Sequence, residues 1–566
     1  MGKPYLSVRN FKDGSKRLYA VTNTWNPEKK RQDKKQVYIG CRHGDGTYDF
    51  NEKTAGYLNL LRKTEYERRF YQWQDYIASQ KADPDTDPVA AAFDGCTDLS
   101  GGPYLLFSTI ADNLGLPTIL ASVFGQEDAS KILSLAFYCA SGDSLPLYAA
   151  QQWSEGHRLP GMGSLGETDI SRILGRISAS DILGFLGTWI RQTPSENRLS
   201  MDITSVSSYS RQNPYVMFGY NRDKEKLPQV NLLYIVDQVK KLPVWFEVLP
   251  GAINDMTTLR DTVEMLNQLG VARRIVFDRG FSCHENVGRL QKYRFKFTMG
   301  VALHCFPEIA DELKLARETA AFSQPGLTVE TDEAGKVFKS QGITKTIRIN
   351  GHRVYLHMYY CPGYKVSNEV DLIEHVDHVA ELLGQKKYPR SKIEKEIAEK
   401  CFTTRKYKDR VIVKCDPVAV ECLKEEFGGC FAIISNDIKD AKEALRVYKL
   451  RDESEKRFDD LKNEGDCHRL RVHSEGRMRA RFFIQFLAQI LRSYILEQKQ
   501  SRSDEWKKMK IPSKTVNDIV KEMETLRYIH IEGHHPFYKR PTKTQLSLLR
   551  FYGVDISDKK SWPSLR

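Results

Sequence analysis

The 566-residue chain has no run of eighteen apolar residues, so no membrane-spanning helix is expected. Its first residues, MGKPYLSVRN, lack the apolar core of a signal peptide. Eleven cysteines are scattered without a single CxxC pair. The tightest series, Cys401, Cys415, Cys422 and Cys430, fits no common zinc spacing. These absences argue against a membrane protein, a disulfide scaffold and a zinc module. They predict a reduced, cytoplasmic protein. No internal repeat and no low-complexity tract appears, which sets aside solenoids and long linkers. Acidic surplus is also missing.

What is present is a basic, globular composition. Hydrophobic residues make up 41% and charged residues 28%, enough for a large core. The formal net charge is +13, which favours a polyanionic partner such as nucleic acid. Residues 1–95 read as a β/helical basic region, with strand-like RLYAVTNTW and KQVYIGC around the charge run PEKKRQDKK. Residues 96–197 read as a block of short helices. At about 200 the composition turns β-rich. LSMDITSVSSYS, QVNLLYIVDQ, LPVWFEVLPG and RRIVFDRG read as strands, with the amphipathic TTLRDTVEMLNQLGV before the last. Trp245 reads as strand packing. A mixed excursion occupies 306–410, with His375 and His378 on a helix. Two more strands follow within 411–495, then a charged helix and the apolar RARFFIQFLAQILRSYILEQ. Residues 496–566 close with helices.

Three acids stand out in this order of elements. Asp202 lies inside the first strand after 200. Asp278 follows RRIVF, at the C-terminal end of a buried strand, where open α/β sheets place ligand-binding groups. The third comes from the stretch YKLRDESEKRFDDLK (448–462), where eleven of fifteen residues are Lys, Arg, Asp, Glu or Ser. As a helix of 3.6 residues per turn, it puts Val447, Leu450, Phe458 and Leu461 on one apolar stripe. Tyr448, Arg451, Glu455 and Lys462 form a second stripe at its border, apart from the solvated majority. Glu455 is therefore the acid best placed to be half buried. Each residue alone has a plainer reading. A strand Asp, a helix N-cap at 278 and an i, i+4 pair of Arg451 with Glu455 would all be ordinary. Three carboxylates on two strands and a covering helix, however, suit a pair of Mg²⁺ ions clamping a phosphoryl displacement.

The spacing Y-x2-R-x3-E-x6-K, met here by Tyr448, Arg451, Glu455 and Lys462, resembles the signature of bacterial insertion-sequence DDE transposases of the insertion-sequence-four-like superfamily. MDITS with Asp202, and VFDRGFSCHENVGRL with Asp278, Arg279, Asn286 and Leu290, resemble the family's first and second acid motifs. LPGAINDMTTL, with Gly251, Asn254 and Asp255, resembles the segment between them. The resemblance implies an α/β fold. An RNase H-like core at 198–305 and 411–495 would be interrupted by a mainly β insertion at 306–410 and preceded by a helical DNA-binding domain at 96–197. It implies Asp202, Asp278 and Glu455 as catalytic, metal-holding residues for two Mg²⁺ ions, with Mn²⁺ able to substitute. Tyr448, Arg451, Lys462 and Arg279 would contact DNA. The partners would be double-stranded DNA, as terminal inverted repeats and target, and a second copy in a synaptic homodimer. The activity implied is DNA cleavage and strand transfer, in a bacterial cytoplasm or at its nucleoid. A nuclease that cuts without joining, and a silent DNA-binding descendant, are the alternatives. Arg477, Arg479 and Arg481 are read evenly between DNA contact and plain surface.

Overall fold

The structure, a computed structural model, describes residues 3–26, 29–81, 95–142, 146–161, 165–192, 194, 197–219, 221, 225–253, 255–270, 274–324, 328–333, 336–389, 392–407, 410–451, 469–470, 472–512, 515–531 and 533–563. It divides into two compact units, residues 1–96 with 531–533 and residues 97–530 with 534–566.

In the first unit four antiparallel strands run in order: β1 (Tyr5–Asn10), β2 (Lys16–Asn26), β3 (Arg31–Arg42) and β4 (Tyr48–Phe50). Alternation gives each strand one apolar face. Leu18, Ala20, Ile39 and Phe50 pack there with Leu61 of α1 (Leu58–Leu61) and with Tyr66 and Phe70 of α2 (Glu65–Lys81). The charge run after Asn26 leads straight into β3, whose Arg31, Lys34 and Lys35 are exposed.

The second unit begins at Thr97, within β5 (Cys96–Ser100), and continues into a helical block. The block holds α3 (Gly102–Asn113), α4 (Leu116–Phe124), α5 (Gln126–Ala140), α6 (Ala150–Glu155), α7 (Glu167–Arg176) and α8 (Ala179–Ile190). One of its helix starts is fixed by side chains. Ser178 and Asp181 form a reciprocal capping box on α8.

A large mixed sheet follows. β6 (Leu199–Ser208), β7 (Gln229–Asp237) and β8 (Pro243–Pro250) form an antiparallel meander. Every residue of β6 and β7 is buried, so both faces are covered. After α9 (Asp255–Gln268), β9 (Arg274–Phe277) joins β6 in parallel. After α10 (His284–Lys292), β10 (Lys296–Gly300) joins β9 in parallel. The excursion at 306–410 then opens with α11 (Pro307–Glu318). β11 (Thr328–Glu333), β12 (Lys336–Ile349) and β13 (His352–Tyr360) come next. It goes on through α12 (Pro362–Gly384), α13 (Lys392–Cys401) and a β14–β15 hairpin (Phe402–Tyr407, Arg410–Cys415) to α14 (Pro417–Phe427). β16 (Cys430–Ser435) returns between β10 and β13, so the sheet order is β11–β12–β13–β16–β10–β9–β6–β7–β8. The expected mainly β insertion thus carries α11, α12 and α13 beside its strands, and β11–β13 extend the main sheet. His375 and His378 lie on α12, both near Glu394 at 3.7 and 3.8 Å.

α15 (Ala441–Lys449) buries Ala441, Ala444, Leu445 and Val447 on the sheet. α16 (Glu475–Ser501) is buried nearly all round from Met478 to Ile495, as an apolar core helix must be, and it packs on α5, α7 and β8. Arg481 is buried within it. Arg479 donates to Tyr215 Oη at 2.6 Å and pairs with Glu475, while Trp245 of β8 is buried in the same core. α17 (Ser503–Met509), α18 (Val516–Glu524), a β17–β18 pair (Arg527–Ile531, Phe537–Tyr538) and α19 (Lys543–Phe551) complete the unit. Among the described residues no single helix is long and apolar enough to cross a membrane.

Candidate active site

The parallel register of β6 on β9 pairs Leu199 with Ile275, Ser200 with Val276 and Met201 with Phe277. One step further along that register stand Asp202 and Asp278. Neighbouring strands lie about 4.8 Å apart, so the two carboxylates come from adjacent backbone positions. Asp202 is buried, and its Oδ1 accepts from the Ile203 N–H at 2.8 Å. Asp278 begins a tight turn in which Phe281 N–H donates to the Asp278 carbonyl. Two buried side chains hold that turn. Asn286 Nδ2 donates to the Phe281 carbonyl at 2.8 Å, and Ser282 Oγ accepts from the Ala302 N–H at 2.7 Å.

α15 delivers Tyr448 and Arg451 over this pair. Tyr448 Oη donates to Asp278 Oδ1 at 3.0 Å. Arg451 follows one turn on, its N–H on the Tyr448 carbonyl. Its Nη1 donates to Asp202 Oδ2 at 3.0 Å, and its Nη2 lies 3.8 Å from Asp278 Oδ1. Buried Gln238 ties the helix end to β6, donating from Nε2 to Ser200 Oγ at 2.7 Å and to the Val447 carbonyl at 3.2 Å.

The electrostatics follow from these neighbours. Burial pushes the Asp278 carboxyl up. The Arg451 charge, the Arg279 N–H and the Tyr448 hydroxyl outweigh it, and Asp278 titrates below the ordinary carboxylate value. Burial and the adjacent Asp278 charge drive the Tyr448 phenol well above its usual value, so it stays a protonated donor at any working pH. Asp278, Tyr448 and Arg451 line a cleft of about 770 Å³ whose walls also include Arg279, His304, Tyr364 and Lys449, while Asp202 lies buried behind them. Arg279 is exposed there, and Lys449 Nζ donates to Tyr364 Oη at 2.5 Å.

Asp202, Asp278, Arg279, Tyr448 and Arg451, named from the sequence, therefore meet at one place. Glu455 and Lys462 lie outside the described residues, as does Asn254. Among the described residues no three His, Cys, Asp or Glu side chains form a metal cage. The two acids nonetheless fit a divalent cation. They offer hard oxygen donors and already share one positive group, the guanidinium. Gly251 has a different part, a close backbone approach. A Cβ there would come within 2.0 Å of the Gln229 carbonyl oxygen. Sequence reasoning missed Gln238, the Lys449–Tyr364 pair and Gly300. Only Gly300, a glycine ending a strand, left a signal, since such a glycine marks close approach by a neighbour.

Residues 193–491 match the family described as Transposase DDE domain, more than half of the chain, and the chain belongs to that family. Among solved structures it is similar to a piggyBac transposase synaptic complex with hairpin DNA, determined by cryo-electron microscopy. The identity is 13% and the TM-score 0.34, over 63% of this chain. The chain spans 57% of that protein's length. Comparison with curated proteins finds no match.

Proposed function

We propose that this protein is a transposase of the insertion-sequence-four-like superfamily. In this reading it binds the terminal inverted repeats of its own mobile element, cleaves the DNA there and joins the freed ends to a target. One observation carries the reading: Asp202 on β6 and Asp278 just past the end of β9 occupy neighbouring positions with Arg451 bonded to the first and near the second, inside the family match. The order β8–β7–β6–β9–β10, an antiparallel meander followed by two parallel strands, supports an RNase H-like core.

Asp202, Asp278 and Glu455 would hold two Mg²⁺ ions, or Mn²⁺ in their place. When bound, such ions neutralise charge on the scissile phosphate and raise the nucleophilicity of water or of a 3′-hydroxyl. The chain's own residues do the rest. Tyr448 fixes one oxygen of Asp278 by donating to it. Asn286 and Ser282 fix the turn that aims that carboxylate. Arg279 and Lys449 stand on the cleft wall, where backbone phosphates would meet charged donors. Lys462 would add a further phosphate contact, and a second copy of the chain would complete the synaptic complex.

The test is a cleavage and strand-transfer assay with Mg²⁺ on DNA carrying the sequences that flank this gene. Wild type should cut at the repeat ends and yield joined products, while Asp278→Ala and Glu455→Ala still bind but do neither. Cutting without joining would replace the reading by a nuclease. Binding without cutting by wild type would replace it by a DNA-binding protein.

A further inference from the structure

Arg451 lies between the two acids. Its side chain is only 12% exposed, and its two terminal nitrogens reach carboxylates from two different strands, at 3.0 and 3.8 Å. A guanidinium keeps its charge at every physiological pH, so it neutralises the acid pair permanently while it stays. The guanidinium takes up Asp202 Oδ2 and stands 3.8 Å from Asp278 Oδ1, oxygens that a divalent ion between the two acids would also use, and like charges repel. Its backbone lies in the turn just beyond Lys449, the last residue of α15, rather than inside the helix. Arg451 itself lines the cleft beside Arg279 and Lys449, and DNA phosphates drawn there would offer it a bidentate partner.

We infer that Arg451 is a resident counter-ion that competes with the divalent metal for Asp202 and Asp278. Without metal it holds the two acids together. It must leave them before they can take up a cation, and DNA in the cleft favours its departure. Metal binding and DNA binding then strengthen each other by one reciprocal factor. The inference rests on the reading of the acid pair as the metal site.

The experiment is a Mn²⁺ titration of the full chain without DNA, with free Mn²⁺ counted by electron paramagnetic resonance, and folding checked by circular dichroism. Arg451→Gln should bind Mn²⁺ about tenfold more tightly than wild type, the worth of one charged hydrogen bond at 1.4 kcal/mol per decade. Arg451→Lys should fall between them, because an ammonium cannot span both carboxylates as a guanidinium fork does. That variant also carries the test should the glutamine variant fail to fold. Asp278→Asn should weaken binding in every background. Equal or weaker binding by both Arg451 variants, with Asp278→Asn still weakening it, overturns the competition and leaves the site standing. Mn²⁺ binding indifferent to Asp278→Asn overturns the site itself and the inference with it.

Discussion

Gly300 and Tyr448 divide one small space between them: a Cβ added to Gly300 would lie 2.5 Å from Tyr448 Oη and 3.2 Å from the Arg279 nitrogen. The glycine that ends β10 is thus what lets the phenol reach Asp278. Both neighbours are anchored, one by a helix packed on the sheet and one by the turn after Asp278, so neither yields easily.

Gly300→Ala should therefore leave the fold intact and displace the Tyr448 hydroxyl from Asp278. If Asp278 holds the metal as proposed, a misplacement of about 1 Å there costs about a hundredfold in rate. Cleavage by Gly300→Ala, Tyr448→Phe and the double variant should fall to similar levels, since all three remove the same hydrogen bond. Wild-type cleavage by Gly300→Ala would refute the arrangement.

At the opposite ends of the same strands, Asp437 gathers three cations: Lys296 at 2.9 Å, Arg198 at 3.3 Å and Arg274 at 3.9 Å. They come from the starts of β10, β6 and β9, so one carboxylate staples the sheet edge that backs the site. Burial works against its ionisation. Lys296, Arg274 and Arg198 win, and its pKa lies below the ordinary value. A folded value below the unfolded one gives stability that is present above the unfolded carboxylate pKa. That stability is lost as pH falls through the folded value. Asp437→Asn should cost about 2 kcal/mol at neutral pH in urea unfolding. The gap from wild type should close as the pH is lowered below about 4. A gap that stays constant into acid would mean that packing, not charge, is what the substitution removed.

How much of this was legible in the sequence depends on what kind of question each residue answers. Asp202 and Asp278 could be placed because strands announce themselves by composition, and because the end of a buried strand is a recognisable position. Tyr448 and Arg451 could be put on one stripe because helix geometry is local. The partner of Arg451 could not be found this way. Helix spacing fixes a side chain's direction, not which strand lies beneath it, so the hydrogen bond to Asp202 and the approach to Asp278 could not be read from the stripe. The same limit hid the continuation of the sheet through β13, β12 and β11. Alternation marks strands, while pairing across β16 is decided by tertiary packing. Buried Arg481 escaped both readings considered for it, because its basic neighbours hide the start of a core helix.

The first fifty residues hold eleven lysines and arginines against five acids, and Arg31, Lys34 and Lys35 are exposed on β3. If this strand lies along DNA, binding should release counterions and weaken steeply with salt. The logarithm of affinity plotted against the logarithm of salt should be a straight line. Lys34→Ala with Lys35→Ala should flatten it by about two units, one for each phosphate no longer neutralised. An unchanged slope would remove this strand from the interface.

Asn286 offers a way to separate positioning from binding. Its buried amide closes the turn that begins at Asp278, and it faces the Phe281 carbonyl rather than the cleft. Asn286→Ala leaves that buried carbonyl unpaired, a cost of about 1–3 kcal/mol. The local strain should fall on the aim of Asp278. The expected result is a slower cleavage step at saturating DNA, with affinity for the DNA ends unchanged, because Arg279 and Lys449 keep their places. Asn286→Asp retains an oxygen but lacks the donor, so it should not rescue the rate. Asn286→Gln, which keeps the donor on a longer arm, should recover part of it. Weakened end binding with an unchanged cleavage step would mean that the turn serves the DNA interface instead of the carboxylate.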